Sequence, residues 1–223
     1  MQVVEKVDPQ SPDSVIETIV NFVKAADGDF DHIGKLANAV SDDDSLQKMI
    51  DFLSRTPQGK QAFGKRPMLG EIDLEKLHRL PVNTLGYAFA DHFFANNLQP
   101  LKPGKVENDF QFFSAHITET HDIWHIVTAC NTNILGEIQL EAFYVSQLYA
   151  TRFWLGLLAK NLLKSVVYDI EVSTQYMDAI SQGWLMAKQA KPLFGIEWNQ
   201  LWETPLDDVR KSLNIILPIT EEP

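Results

Sequence analysis

The stretch His121-Asp122-Ile123-Trp124-His125, followed by Glu137, constrains this chain more than any other feature. It gathers two imidazoles and two carboxylates within 17 residues of a sequence that holds six histidines in all. Residues four apart share one face of a helix, so His121 and His125 can present ring nitrogens to a common point. Asp122, their immediate neighbour, could reach the same ion or its hydration shell from the side. Glu137 cannot join them along one straight helix, because twelve residues at about 1.5 Å each carry it roughly 18 Å away. The chain has to turn back, and Asn131-Thr132-Asn133 supplies a turn signal in the right place. A helix ending near 128–130 and a new one opening near 135–137 would return Glu137 to the histidines. Two histidines with one or two carboxylates form a mixed nitrogen and oxygen ligand set, suited to zinc or iron(II) and less selectively to manganese.

Three other readings of the motif need weighing. A polar core network is one, since histidines on an amphipathic helix are often buried and hydrogen-bonded. A zinc protease is another, but that chemistry wants Glu beside the first His as general base, and Asp122 is a shorter acid. A ferritin-like pair of irons would use Glu75-Lys76-Leu77-His78 as one E-x-x-H motif, yet the second would have to be Asp122-x-x-His125.

The formal net charge of −11 excludes the basic footprint that a nucleic-acid partner requires, and it excludes adsorption to anionic lipid by bulk charge. Any membrane contact must come from a local patch. With 45% hydrophobic and 22% charged residues, 223 residues suit a globular chain with a proper core, expected here as a single domain over 1–223. The lone cysteine, Cys130, rules out an internal disulfide framework and fits a reducing compartment. It reads as a small buried filler beside the turn, with a ligand role as the alternative. The first residues lack the apolar core of a secretory signal and the Arg-rich amphipathy of a transit peptide, and no run approaches a membrane span. The expected location is cytoplasmic, with peripheral membrane contact.

The periodicity predicts an all-α multi-helix bundle. Pro12 opens a first helix with Val15, Ile16, Ile19, Val20 and Val23 on one side, and Gly28 stops it. A second covers Phe30–Val40, and Ser41-Asp42-Asp43-Asp44 caps a third that carries Leu46, Met49, Ile50 and Leu53. The prolines and glycines between Pro57 and Gly70 mark a loop-rich connection. Short helices follow over 73–79 and 84–96, then a linker over 97–104. Residues 110–128 carry the His motif, 136 to about 163 reads as one long helix, and 166–188 as another. Thr204-Pro205 starts the last, with Pro at the first helical position. Phe194, Trp184, Trp198 and Trp202 are more aromatic surface than short C-terminal helices easily hide, which predicts a homo-oligomer.

The residues around the His motif resemble the coenzyme Q (ubiquinone) biosynthesis protein four family, whose signature is H-D-x-x-H, eleven residues, then E. The match is complete at His121, Asp122, His125 and Glu137, and extends through Thr132-Asn133 and Leu135-Gly136-Glu137. Upstream, Thr56-Pro57-Gln58-Gly59, Arg66-Pro67 and the run from Leu80 to Gly86 are similar. Downstream, so are Gln147, Trp202, Pro205-Leu206, Val209-Arg210 and Leu213. The similarity covers about 41–216 and leaves 1–40 as added N-terminal helices. The chain departs from the family where it reads Ile117-Thr118-Glu119-Thr120, usually basic, and Leu148-Tyr149-Ala150-Thr151. The first stretch bears on recognition of an acidic ring substituent, the second on the shape of the tail groove. The resemblance implies an all-helical fold, a metal ion that is usually zinc, a polyprenylated quinone precursor as ligand, and work beside other quinone-biosynthesis enzymes at a membrane. It also implies removal of the ring carboxyl group with replacement by hydroxyl.

An apolar run beginning beside a charged cluster fits an amphiphile with its head at the metal and its isoprenoid tail along the helix. Phe143, Leu148, Phe153 and Leu157 are the candidate tail contacts; the competing reading is that they pack the core. Asp122 or Glu137, if not bound to the ion, would move protons as the catalytic carboxylate. An isoprenyl phosphate head would make magnesium a suitable ion. The alternative to an enzyme is a non-catalytic lipid carrier or scaffold with a structural metal.

Overall fold

The computed structural model describes residues 11–24, 30–40, 43–101, 104–149 and 151–217. Its regular structure is all α, as expected, with no strand among the described residues. The helices are α1 (Pro12–Lys24), α2 (Phe30–Val40), α3 (Asp43–Leu53), α4 (Pro57–Lys65), α5 (Leu74–Leu77), α6 (Leu85–Ala95), α7 (Asp109–Thr128), α8 (Ile134–Gln147), α9 (Arg152–Tyr168), α10 (Ser173–Gln189) and α11 (Leu206–Ser212). Most begin where the sequence offers a side-chain oxygen to an orphan backbone N–H. Asn108 accepts from Gln111 N at 2.9 Å, Asn133 from Gly136 N at 2.9 Å, and Asp73 from Lys76 N at 2.9 Å.

The centre of the molecule is α7. It buries Phe112 and Ala115 near its start and Ile123, Trp124 and Val127 near its end, so that apolar contacts surround it. Its neighbour α8 packs most extensively against α10. Gly183 makes that packing possible: a Cβ placed there would stand 1.9 Å from the Gln139 carbonyl oxygen, so the two backbones touch. A buried pair, His116 and Glu119, ties two loops to α7. Leu69 N donates to Glu119 Oε1 at 2.9 Å, His116 Nδ1 donates to the Pro67 carbonyl at 3.1 Å, and Gly195 N donates to His116 Nε2 at 3.2 Å.

Several expectations need correction. The stretch after Thr56 is a helix, α4, where a loop was expected. Thr56 Oγ1 accepts from Gly59 N at 3.0 Å and Pro57 sits in the first turn, a start signal that outweighs the two glycines. The single long helix expected over 136–163 is two helices. It breaks after Gln147, Tyr149 has φ of 76°, and Thr151 caps the start of α9. The chain folds back there, stacking Tyr144 on Trp154 with ring centroids 4.7 Å apart. The expected helix over 166–188 breaks too, because Asp169 caps a 3₁₀ turn over Ile170–Val172 before α10 begins. Pro205 is the N-cap of α11, one place earlier than expected. On α1 the buried residues are Phe22 and Val23, while Ile16 and Val20 are exposed.

Phe194 and Trp198 are buried in the core, so the aromatic surface offered as grounds for a homo-oligomer is smaller than expected. The expected Gly28 stop and Ser41 cap lie outside the described residues.

The close approach of α8 and α10 makes Gly183 a sensitive position. Gly183→Ala should cost about 1–3 kcal/mol in a denaturant melt with helix content unchanged, since the added methyl must push the two helices apart.

Candidate metal centre and adjoining cavity

The site is assembled by the reversal between α7 and α8. Ala129 takes the left-handed conformation at φ 55°, ending α7, and Asn133 caps α8 four residues later. Gly136 permits the reversal, because a Cβ there would collide with the Asn131 carbonyl oxygen at 1.9 Å. Glu137 therefore stands in the first turn of α8, facing the end of α7.

His121, His125 and Glu137 converge. His125 Nε2 lies 3.1 Å from His121 Nε2 and 3.4 Å from Glu137 Oε1, while His121 Nε2 lies 4.0 Å from Glu137 Oε2. Ligands held about 2.0–2.1 Å from one tetrahedral ion are about 3.3 Å apart, so these edges fit a shared divalent ion, the last one loosely. The far side of each ring is tied down. His125 Nδ1 donates to the Cys130 carbonyl at 2.9 Å, and His121 Nδ1 lies 3.0 Å from the Tyr144 hydroxyl. Such outer bonds orient a ligating imidazole and leave Nε2 for the ion.

The charges agree with that use. Burial and the neighbouring His125 push His121 below its ordinary value. For His125 burial also works downward, but the Glu137 hydrogen bond and charge outweigh it and leave the ring raised. Glu137 is held below the usual carboxylate range because His125 and His121 overcome the opposing effect of burial. Burial pushes the Cys130 thiol up to about 11, so Cys130 contributes its backbone carbonyl and not a thiolate.

Asp122 takes another direction. One position on from His121, it lies about 100° round the helix, and its Oδ1 accepts from His92 Nε2 at 3.1 Å. It stands outside the three-residue group that the structure brings together. Burial would raise its carboxyl, yet the His92 bond and the imidazole charges hold it low. Sequence reasoning missed His92 and Tyr144. A lone histidine in the apolar run Tyr87-Ala88-Phe89-Ala90-Asp91-His92-Phe93 was the available signal for the first. His78, the histidine of the di-iron alternative, pairs instead with Asp91 at 3.3 Å.

A cavity of about 970 Å³ opens beside His121 and Glu137, walled by α1, α2, α3, α7, α8 and α9. Of the four candidate tail contacts, Phe153 and Leu157 line it together with Tyr144 and Trp154. Phe143 and Leu148 do not; both are fully buried in the core, with Phe143 set edge-on to Trp124 at 5.8 Å. Phe143 lies off the Glu137, Leu140, Glu141 and Tyr144 stripe by which α8 lines the cavity, and Leu148 stands at the end of α8, where the chain turns into α9. Among the family departures, Ile117 and Thr118 face the cavity while Glu119 faces the Leu69 loop.

The model of the coenzyme Q (ubiquinone) biosynthesis protein Coq4 family matches residues 9–218. The mitochondrial ubiquinone biosynthesis protein COQ4 homolog of Anopheles gambiae is 24% identical over 189 residues, covering 78% of this chain and 63% of that protein. The Rattus norvegicus homolog is 28% identical over 181 residues, covering 78% of this chain and 67% of its counterpart. The chain thus spans roughly two thirds of the length of these relatives. A crystal structure from Nostoc punctiforme PCC 73102, of a protein provisionally named for ubiquinone biosynthesis, matches with a TM-score of 0.81 at 25% identity. That match covers 92% of this chain and 98% of the other.

Metal binding and protonation compete for His125. An ion needs the neutral ring, and in its absence the ring's raised value favours the proton. Affinity for Zn²⁺ should therefore be full above the raised His125 value and fall as pH drops through it. Calorimetric titration at about pH 8 and about pH 5.5 should show a loss of at least about tenfold. His125→Ala should lose affinity at the higher pH as well; unchanged binding in that variant would rule out the three-residue centre.

Proposed function

The chain belongs to the coenzyme Q (ubiquinone) biosynthesis protein Coq4 family, and on that premise we propose that it binds a polyprenylated aromatic precursor of a quinone and processes the ring. The observation that carries this is the junction of two unlike surfaces: a His, His and Glu donor set, with His125 buried and His121 and Glu137 half-buried, on the wall of a largely apolar cavity. At about 970 Å³ the cavity stands near the top of the range of about 300–1,000 Å³ usual for small-molecule sites. The head group lies at His121, His125 and Glu137, and the tail runs past Phe153 and Leu157. Each buried CH₂ of that tail contributes about 0.8 kcal/mol in transfer terms.

The reaction proposed is loss of the ring carboxyl group as CO₂ with replacement by hydroxyl, a two-electron oxidation in which water supplies the hydroxyl oxygen and dioxygen, as the external oxidant, leaves as hydrogen peroxide. A bound divalent ion, zinc by preference and iron, manganese or magnesium as alternatives, supplies Lewis acidity toward an oxygen of the head group. The chain's own residues do the rest. Tyr144 and the Cys130 carbonyl hold the two imidazoles in register. Asp122, ionised and hydrogen-bonded to His92, is proposed to take up and return a proton from its position next to His121 in the chain. Glu137 either ligates or fills the same proton-moving role. Phe153, Trp154 and Leu157 keep water from the tail side of the ring.

A second reading has its own support. Ile117 and Thr118 stand where the family is usually basic, so α7 offers no cation to a ring carboxylate. The same pocket would then serve a carrier that presents the prenylated ring to other enzymes of the pathway. Either role needs an exchange route with a bilayer. No helix among the described residues is long and apolar enough to cross one. Peripheral contact is proposed through Val166, Val167, Tyr168 and Ile170, exposed together at the corner between α9 and α10.

Lipid extraction of the purified protein followed by mass spectrometry should release a prenylated aromatic compound; a complement of ordinary phospholipid alone would overturn the reading. Two substitutions separate cavity from core. Leu157→Trp should fill the cavity, abolish lipid retention and change the melting temperature little. Leu148→Trp overpacks a closed core and should cost about 1–3 kcal/mol while the remaining folded protein still holds lipid.

A further inference from the structure

The cavity has a second polar stretch in its wall, apart from the three metal-site residues. Asn161, on α9, is 1% exposed. Its Nδ2 donates to Glu141 Oε2 at 2.8 Å, while its Oδ1 has no partner and is closed off from bulk water. Both side chains line the cavity, as does Lys160 at the neighbouring position. An amide oxygen buried without a donor has given up its water for nothing, which folded interiors seldom tolerate without a functional reason. Turning the amide over offers no relief, because it would set a carbonyl oxygen against the Glu141 carboxylate, and neither has a proton to give. The link between α8 and α9 explains the Nδ2 side of this amide. It leaves the oxygen unexplained.

The location narrows what the missing donor is. Glu141 follows Glu137 by one turn of α8, about 6 Å along the axis. A ring whose oxygen approaches His121, His125 and Glu137 therefore brings its other substituents to the level of Asn161. A carboxylate, ketone or ether oxygen can accept from Lys160 on the same wall but carries no proton for Asn161 Oδ1. A hydroxyl carries its own proton, and its oxygen can still accept from Lys160, whose ammonium lies on this wall 5.0 Å from the Phe22 ring centre.

We propose that Asn161 Oδ1 receives the O–H of a phenolic hydroxyl on the bound ring, so that the site selects hydroxylated rings through Asn161. This rests on the reading above that a prenylated ring occupies the cavity. Asn161 is here a binding and specificity residue, separate from the metal-site residues.

The test pairs a ligand change with a protein change. Binding of 2-geranylphenol and of its methyl ether is followed on the full chain by the fluorescence of Trp154, which lines the cavity. The measurement is made with metal loaded and again after chelation, so that attraction of the metal for a phenolate is removed. Wild-type protein should prefer the phenol by about tenfold in both states, the worth of one hydrogen bond to an otherwise unpaired buried group. Asn161→Leu should bind the ether as before and lose the preference. Equal binding of the two compounds by chelated wild-type protein would overturn the proposal even if the variant does not fold, and so would a preference that survives Asn161→Leu. If neither compound binds the wild type, the prenylated-ring reading falls along with this one; if both bind equally, this one falls alone.

Discussion

Between the left-handed residue Ala129 and the cap Asn133 the chain reverses so sharply that the first turn of α8 is delivered onto the face of α7 that carries the histidines. That reversal is what crowds two imidazole nitrogens and a carboxylate into one small volume. The Nε2 atoms of His125 and His121 stand 3.1 Å apart, a spacing that suits a shared proton or a shared ion. The surroundings hold the arrangement in place. Trp124 stacks on Tyr144, and the close approach at Gly183 locks α8 against α10. The donor geometry is thus set by the packing of the core.

Much of this could be read in the residues. The i, i+4 spacing of His121 and His125, the Asn-Thr-Asn turn and the return of Glu137 followed from helix geometry alone, and the all-helical class followed from caps and periodicity. Local signals were misjudged where two of them conflicted. At Pro57 a start signal stood among glycines and was read as a loop; at Thr151 a cap stood inside a continuous apolar run and was passed over. The second error mattered more, because the break at Gln147 helps decide which side chains face the cavity. Phe143 and Leu148 share composition with Phe153 and Leu157; the face of α8 that Phe143 occupies and the fold-back of α9 together separate core from wall. His92 was invisible for another reason: its role depends on α6 crossing α7, a long-range contact that no spacing encodes.

Length of chain and chemistry meet in the cavity. Its walls come from helices spread from α1 to α9, so the space closes only once distant parts of the sequence have packed. The donor set, by contrast, belongs to one helical hairpin. The donor geometry is accordingly a local property of the α7–α8 hairpin, and the cavity a global one, which is why substitutions in the two should be separable.

Cys130 shows what such a site must also avoid. Quinones and their oxidised precursors are electrophiles, and a thiolate near one is alkylated by addition to the ring, with permanent loss of the protein. The thiolate is the reactive form. With the Cys130 thiol pushed up to about 11, only about one molecule in ten thousand carries it at neutral pH. Burial among apolar neighbours thus keeps the sulfur inert while the carbonyl of the same residue steadies His125. The residue serves the site through its backbone, and burial of its side chain would guard it against an electrophilic ligand of the proposed kind.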